Sequence, residues 1–457
     1  MGCLRQAVAH ALARDARATS ARLMGATGGL ALVDLVARTG LGEARAGLAG
    51  RSVLIRTRSQ MGAAQALVEL DGLAARLVLC PPDVAAEHLP AVIERAQVDA
   101  LVTDDEALAC HGLPTYVLAA PSEPVTEVAE TRTSEWLMFT SGTTGVPKLV
   151  IHTLAGLTGA IAPRAPDAEP VVWGTFYDIR RYGGLQILLR ALTGGSSLVL
   201  SEAGEPTAAF LARLAAAGVT HQTGTPSHWR WALMNPELAL IQPRYVRLSG
   251  EIADQAVLDS LKAFFPQAAI GHAYASTEAG VGFEVNDGRE GFPASLIGVD
   301  GPVRMKIEDG SLRIRSSRAA SGYAGAEAAL ADGDGFIDTG DMVEQRGDRC
   351  FFTGRRGGVI NVGGLKVHPE EVEAALNRHP MVRMALVKAR RNPLTGALVA
   401  AEVVRTDAAL AMDEAELKSS ILALCRETLA PHKAPAVLKF VDSLAVTAGG
   451  KLDRQHA

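Results

Sequence analysis

The chain has 457 residues, 48% of them apolar and 21% charged, and a formal net charge of −5. That length exceeds one compact core and predicts two or more domains of an ordinary globular protein. The acidic balance, with no Lys/Arg block, argues against an electrostatic nucleic-acid binder, and no apolar run is long enough for a membrane span. Cys3, Cys80, Cys110, Cys350 and Cys425 are scattered without a Cys-x-x-Cys pair. They fit reduced thiols in a cytoplasm and no zinc site. Residues 354–457 carry 15 basic against 11 acidic side chains, so +4 sits there and −9 on 1–353. Nothing in the sequence sets the oligomeric state.

In chain order, Met1–Arg22 reads as a helix. Ser52–Arg56, Leu77–Cys80 and Ala100–Thr103 read as strands alternating with helices at Gln60–Leu73, with small residues on one face, and Val84–Ala96. Such alternation predicts parallel sheets with crossover connections. The apolar run Trp136–Phe139 then leads into Thr140, Ser141, Gly142, Thr143, Thr144, Gly145, Val146, Pro147 and Lys148. Glycines that turn tightly, short hydroxyls and one ammonium make a concave donor surface for phosphate oxygens. The spacing is not that of a Walker loop, and Pro147 keeps Lys148 from opening a regular helix.

This stretch resembles the phosphate loop of the adenylate-forming superfamily, which includes acyl-CoA synthetases, peptide-synthetase adenylation domains and firefly-type luciferases. The resemblance implies an α/β fold. Its large N-terminal domain (1–353) has mostly parallel sheets flanked by helices plus a small β-rich part. A small mobile α+β lobe (354–457) follows.

Further along, Tyr177, Asp178, Arg180, Arg181, Tyr182 and Gly183 fall where the resemblance places the acyl pocket. Arginines there would suit a second carboxylate on the substrate, Asp178 an amino group, and Arg–Asp pairing a solvated turn. Two predicted strands end in Gly250, Glu251 and Ile252 and in His272–Glu278, which suits a crevice at the carboxyl edge of a parallel sheet. By resemblance, residues 250–252 and Tyr274, Ala275 and Ser276 wall the adenine, with Ala275 where glycine is usual. His272 joins the acyl pocket. Thr277 contacts the α-phosphate and Glu278 holds Mg²⁺.

Paired strands are expected around Asp309-Gly310. Asp341, of Thr-Gly-Asp, would then take the ribose hydroxyls and Arg355 the ribose and phosphate. Gly357 stands at the hinge in place of Asp or Lys. Gly364 belongs to the loop lining the thiol tunnel, and Lys451 is the catalytic lysine of a tail motif in which Ala445 and Gly449 replace proline and serine. The implied activity is ATP-dependent formation of an acyl-adenylate and transfer to coenzyme A. Alternatives are an adenylating enzyme loading a carrier-protein phosphopantetheine with an acyl or amino acid, and a non-catalytic nucleotide-binding relative. No Gly-x-Ser-x-Gly elbow or Gly-x-Gly-x-x-Gly fingerprint supports a hydrolase or a dinucleotide oxidoreductase.

Overall fold

The computed structural model describes residues 2–454 apart from 109, 126–131, 141–146, 166–168, 327–328, 393–395 and 448. Among them, eight strands form one sheet in the order Gly280–Val285, Ala269–Ser276, Tyr245–Ser249, His221–Gly224, Val172–Thr175, Ser197–Leu200, Arg22–Met24 and Gly29–Ala31. All but the two edge strands run parallel. Helices Tyr182–Thr193, Thr207–Ala216, Pro226–Ala232 and Gln255–Phe264 make the crossovers. A second sheet of seven strands has Ser52–Ile55 in its interior, buried at every position, as a strand covered on both faces must be.

One apolar cluster fills the space between these sheets, from Val53 and Leu77 to Leu185, Leu188 and Leu198. The helix Gln60–Leu70 lies within it and is buried all round except at Met61. The small residues expected on one face therefore serve close approach on every side.

Three predicted helices are shorter than expected, the one from Gln60 ending at Leu70 rather than Leu73. The first spans Leu4–Arg14, because Asp15 accepts from the Arg17 amide and starts a 3-10 turn, Ala16–Ser20. The last begins at Leu89 rather than Val84, with Pro90 in its first turn. Proline lacks an N–H to bond back, so it fits the first turn, where that donor would go unpaired anyway.

A five-stranded antiparallel sheet, including Ser311–Ser316, Ile337–Arg346 and Arg349–Arg355, carries its own apolar cluster. Asp309 and Gly310 both have positive φ, +53° and +72°, and make the expected tight hairpin. The last sheet pairs Ile360–Val362, Leu365–Val367, Val382–Asn392, Gly396–Arg405 and Val437–Val441. Helices Pro369–Asn377 and Glu414–Thr428 cover it around a separate core of Val372, Leu376, Val403, Leu417 and Ile421. The chain's final turns leave this lobe and return to the carboxyl ends of the large parallel sheet. There a hairpin closed by the Val446↔Leu452 bridge meets Thr225 and Glu251.

Candidate active site

The parallel strands His221–Gly224 and Tyr245–Ser249 end side by side, and each continues into a turn that faces the tail hairpin. Thr225 caps the helix Pro226–Ala232: its hydroxyl accepts from the His228 amide, with Pro226 in the first turn. The same hydroxyl donates to the Gly450 carbonyl at 2.6 Å. Gly250, at φ +88°, turns the next strand end so that the Glu251 carboxylate accepts from the Ser227 amide (2.9 Å), the Ser227 hydroxyl (3.0 Å) and the Leu452 amide (3.0 Å). Lys451 lies between these anchors, its Cε 3.5 Å from where a Gly250 Cβ would stand.

Water still reaches the Lys451 side chain at the cleft mouth, yet surrounding protein atoms hold its ammonium below the usual lysine range. Glu251 and Asp341 oppose that shift, and Arg355 and Arg181 add to it.

Beyond the lysine, Tyr274 is stacked on Phe352 (5.2 Å, 12°) and Phe283 (5.6 Å, 16°) and donates its hydroxyl to Asp341 Oδ2 at 2.6 Å. Arg355 Nε donates to the other Asp341 oxygen at 2.9 Å. The Asp341 carboxylate raises the Arg355 pKa further. Three residues expected at a ribose and adenine site are thus hydrogen-bonded into one unit. Ala275, Ser276 and Ile252 are half-buried.

The phosphate-loop residues Ser141, Gly142, Thr143, Thr144 and Gly145 lie outside the described residues. Their flanks are paired: Thr140 N–H donates to the Lys148 carbonyl at 3.1 Å, and Phe139 sits opposite Leu149. Lys148 Nζ stands 5.1 Å over the Tyr323 ring, and the Tyr323 hydroxyl bonds to Glu278. The Thr277 carbonyl accepts from His152 Nε2 at 2.6 Å; burial keeps that imidazole neutral, with its pKa lowered to about 4. Lys148, Thr277 and Glu278 therefore share one corner, braced by Tyr323 and His152.

Several expected pocket residues have other partners. Asp178 is held bidentately by Arg180 (2.7–2.8 Å), whose remaining N–H donates to the Thr57 carbonyl at 2.8 Å. Arg181 pairs with Asp83. The Arg–Asp pairing expected of a solvated turn is present, but Arg180 is 1% exposed, so the turn is buried rather than solvated. Gly184 allows it, since any Cβ there would lie 2.2 Å from the Asp178 carbonyl oxygen.

Tyr177 donates to the Ser249 carbonyl at 2.9 Å, Gly183 packs on its ring, and Tyr182 is buried 5.5 Å from the His152 ring. His272 is a correction. Its Nε2 donates to the Arg289 carbonyl at 2.9 Å, away from the Tyr177 side, because residues alternate faces along a strand and Ala273 takes the pocket side.

Gly357 is exposed, and among the described residues nothing lies within 4 Å of where its Cβ would stand. Gly364 is at an exposed hairpin apex, φ +89°, donating to Asn361 Oδ1 at 2.8 Å. The arrangement presents Lys451, not Gly364, to the cleft.

Residues 71–323 match the AMP-binding enzyme family, and 371–451 match the AMP-binding enzyme C-terminal domain. The chain belongs to the AMP-binding enzymes. Human mitochondrial acyl-coenzyme A synthetase ACSM1 is 25% identical over 431 residues, covering 87% of this chain and 72% of the relative. The 2-succinylbenzoate–CoA ligase of Bacillus velezensis is 26% identical over 428 residues, covering 90% and 82%.

Among solved structures, the anthranilate CoA ligase AuaEII in complex with anthranoyl-AMP has a TM-score of 0.80 at 17% identity, covering 98% of this chain and 95% of that one. ATP-bound MatB from Rhodopseudomonas palustris has 0.76 at 20% identity, covering 99% and 97%. The fold of this AMP-binding enzyme is that of these adenylating proteins.

Sequence reasoning missed Thr225, Ser227, His228 and Tyr323 as site residues. A Thr-Pro helix start after a strand was the available signal for the first three. Gly322–Tyr323 is a two-residue strand whose place depends on its pairing with Val150 and Ile151, and no local pattern marks it.

Proposed function

We propose that this AMP-binding enzyme activates a small carboxylic acid with ATP to an acyl-adenylate and then transfers the acyl group to the thiol of coenzyme A. The observation that carries the reading is the seating of Lys451 over the Gly250 turn by Thr225 and Glu251, within electrostatic reach of the Asp341–Arg355 pair. A carboxylate becomes a useful electrophile once its oxygen is joined to the α-phosphate, because AMP then leaves readily. The protein's part is alignment and charge neutralisation.

Lys451 would offset charge where the carboxylate oxygen meets phosphorus. Asp341 and Arg355 would hold the ribose, Tyr274 the adenine, and the loop 140–148 the pyrophosphate. Glu278 is half-buried with a neutral hydroxyl partner and no cation paired to its carboxylate among the described residues. That suits one protein ligand of Mg²⁺, an ion that takes oxygen donors and completes its shell with substrate phosphates and water. When bound there, Mg²⁺ would neutralise phosphate charge.

We place the lobe boundary at residue 354. For the thiol step the small lobe would turn about Gly357, withdrawing Lys451 and bringing in Gly364.

The test is pyrophosphate release over a panel of aryl, aliphatic, dicarboxylic and amino acids, with coenzyme A, with a phosphopantetheinylated carrier protein, and with neither. Acid-dependent release and a coenzyme A thioester support the reading. Thioester only on the carrier protein would replace the acceptor, and no release with any acid would overturn the activity.

A further inference from the structure

The arginines expected to meet a second substrate carboxylate, Arg180 and Arg181, are engaged with Asp178 and Asp83. A different pair, Arg247 and Arg190, is less completely bonded. On the strand Tyr245–Ser249, side chains alternate: Val246 and Leu248 enter the apolar core with Val257 and Leu261, so Tyr245, Arg247 and Ser249 share the opposite face. That is the side on which Tyr177 lies, since Tyr177 and Tyr245 pack into one apolar cluster, separate from that of Val246 and Leu248.

The register Arg247↔Gly271 and Ser249↔Ala273 brings a strip with almost no side-chain bulk alongside. The next strand places Glu284 opposite Ala273. Arg247 reaches Glu284 at 3.4 Å, and to do so its guanidinium must cross the Gly271/Ala273 strip.

Arg247 is 7% exposed, and its Nε has no hydrogen-bond partner among the described residues. The helix Tyr182–Thr193 contributes Arg190, whose Nε is likewise buried and unpartnered, as is Gln186 Oε1. Arg190, Arg247, Tyr245 and Glu284 lie within electrostatic reach of one another. Tyr245 and Asn286 already donate to the Glu284 oxygen.

Of the two guanidiniums only Arg247 is ion-paired to this carboxylate, which also serves two neutral donors, while Arg190 stands within electrostatic reach. Burial keeps Tyr182 and Tyr245 protonated and His221 neutral, and Arg318 beside Tyr182 adds positive charge. A buried, incompletely bonded guanidinium is costly unless a ligand completes it. An arginine fork fits a planar carboxylate with two parallel bonds.

We infer that the acid substrate carries a second carboxylate, received by Arg247 and Arg190 at the far end of the pocket from Lys451. Arg247 lies three positions before Gly250, which is ~10 Å of strand, room for an aryl or short alkyl spacer between the carboxyls. The inference rests on the acid-activating reading above.

The experiment compares matched acids: benzoate with the three benzenedicarboxylic acids, and hexanoate with adipate. Pyrophosphate release gives kcat/KM, and calorimetry measures binding of the corresponding acyl-sulfamoyl adenosines. At least one diacid should exceed its monoacid by ~10-fold or more, with tighter binding of its analogue, as for a site built to bond a polar group.

Arg247→Met and Arg190→Met should each lower that diacid-to-monoacid ratio by ~10-fold or more. The wild-type comparison decides even if a variant fails to fold. Monoacids equal to or better than every diacid would overturn the second carboxylate and leave the ligase reading standing. A diacid preference that survives both substitutions would overturn the assignment to these arginines. No pyrophosphate release and no analogue bound would overturn both readings.

Discussion

No Cβ fits at Gly450, because its ideal position lies 1.8 Å from His228 Cε1. The imidazole cannot easily give way. It is stacked on Phe176 (5.4 Å, 15°), edged by Tyr177 and bonded through Nδ1 to the Thr225 amide. Gly450 also has φ +71°, which side-chain-bearing residues rarely adopt. The residue before Lys451 thus seats the lysine by contact between lobes.

Gly450→Ala should lower adenylation by ~100-fold, the order expected when a reacting group is misplaced by about 1 Å. The melting temperature should barely move, because the hairpin is peripheral to both cores. Pyrophosphate exchange measures the first effect and a thermal melt the second. Wild-type exchange rates in the variant would show that the contact does not position Lys451.

Lys451→Ala should abolish adenylation while largely sparing the reaction of supplied acyl-adenylate with coenzyme A. The wild-type pH profile carries a second signature. The useful form is the ammonium, and crowding lowers the Lys451 pKa, so the ammonium is lost as pH rises through that lowered value. Adenylation should fall on the alkaline side before an ordinary lysine would titrate, and the thiol step should not share that limb. Equal losses in both half-reactions would refute the assignment.

Arg180→Met should destabilise the protein by about 3–5 kcal/mol, because it strands the part-buried Asp178 without its partner. Denaturant unfolding reads the loss. A raised KM for the acid with unchanged stability would instead return Arg180 to the substrate.

In the small lobe, burial outweighs Arg454 at 2.7 Å and raises the Glu373 pKa from 4.5 to about 7. An acid whose folded pKa is raised contributes stability that is fully present below the unfolded value and is lost as pH rises through the folded one. The wild type should therefore lose melting temperature between about pH 4.5 and 7 through this group. Glu373→Gln can keep the bond from the Val387 amide and should flatten that slope. Identical pH–melting curves would count against the buried carboxyl.

The parallel α/β layout was legible because buried strands read as short apolar runs and helices supply the crossovers between them. Helix ends were less legible. Asp15 and Pro90 stop or start helices through single side-chain and backbone bonds that periodicity does not register. His272 was misplaced for a comparable reason: proximity along the chain to Tyr274 and Glu278 says nothing about which face of the strand a side chain takes.

The sequence alone determined the chemistry's vocabulary: a hydroxyl- and glycine-rich loop before Lys148, Asp341 after a glycine turn, and a lysine near the end of a separately charged lobe. Those are local patterns, and local backbone freedom and side-chain type are sufficient to write them. Which charges neutralise one another was left to tertiary structure. Asp178 and Arg180 satisfy each other two residues apart, whereas Arg247 and Glu284 are brought together by sheet register, and Arg190 comes near them from a helix. A charge's cost depends on burial and on its partners in space, and neither is a property of its neighbours in sequence.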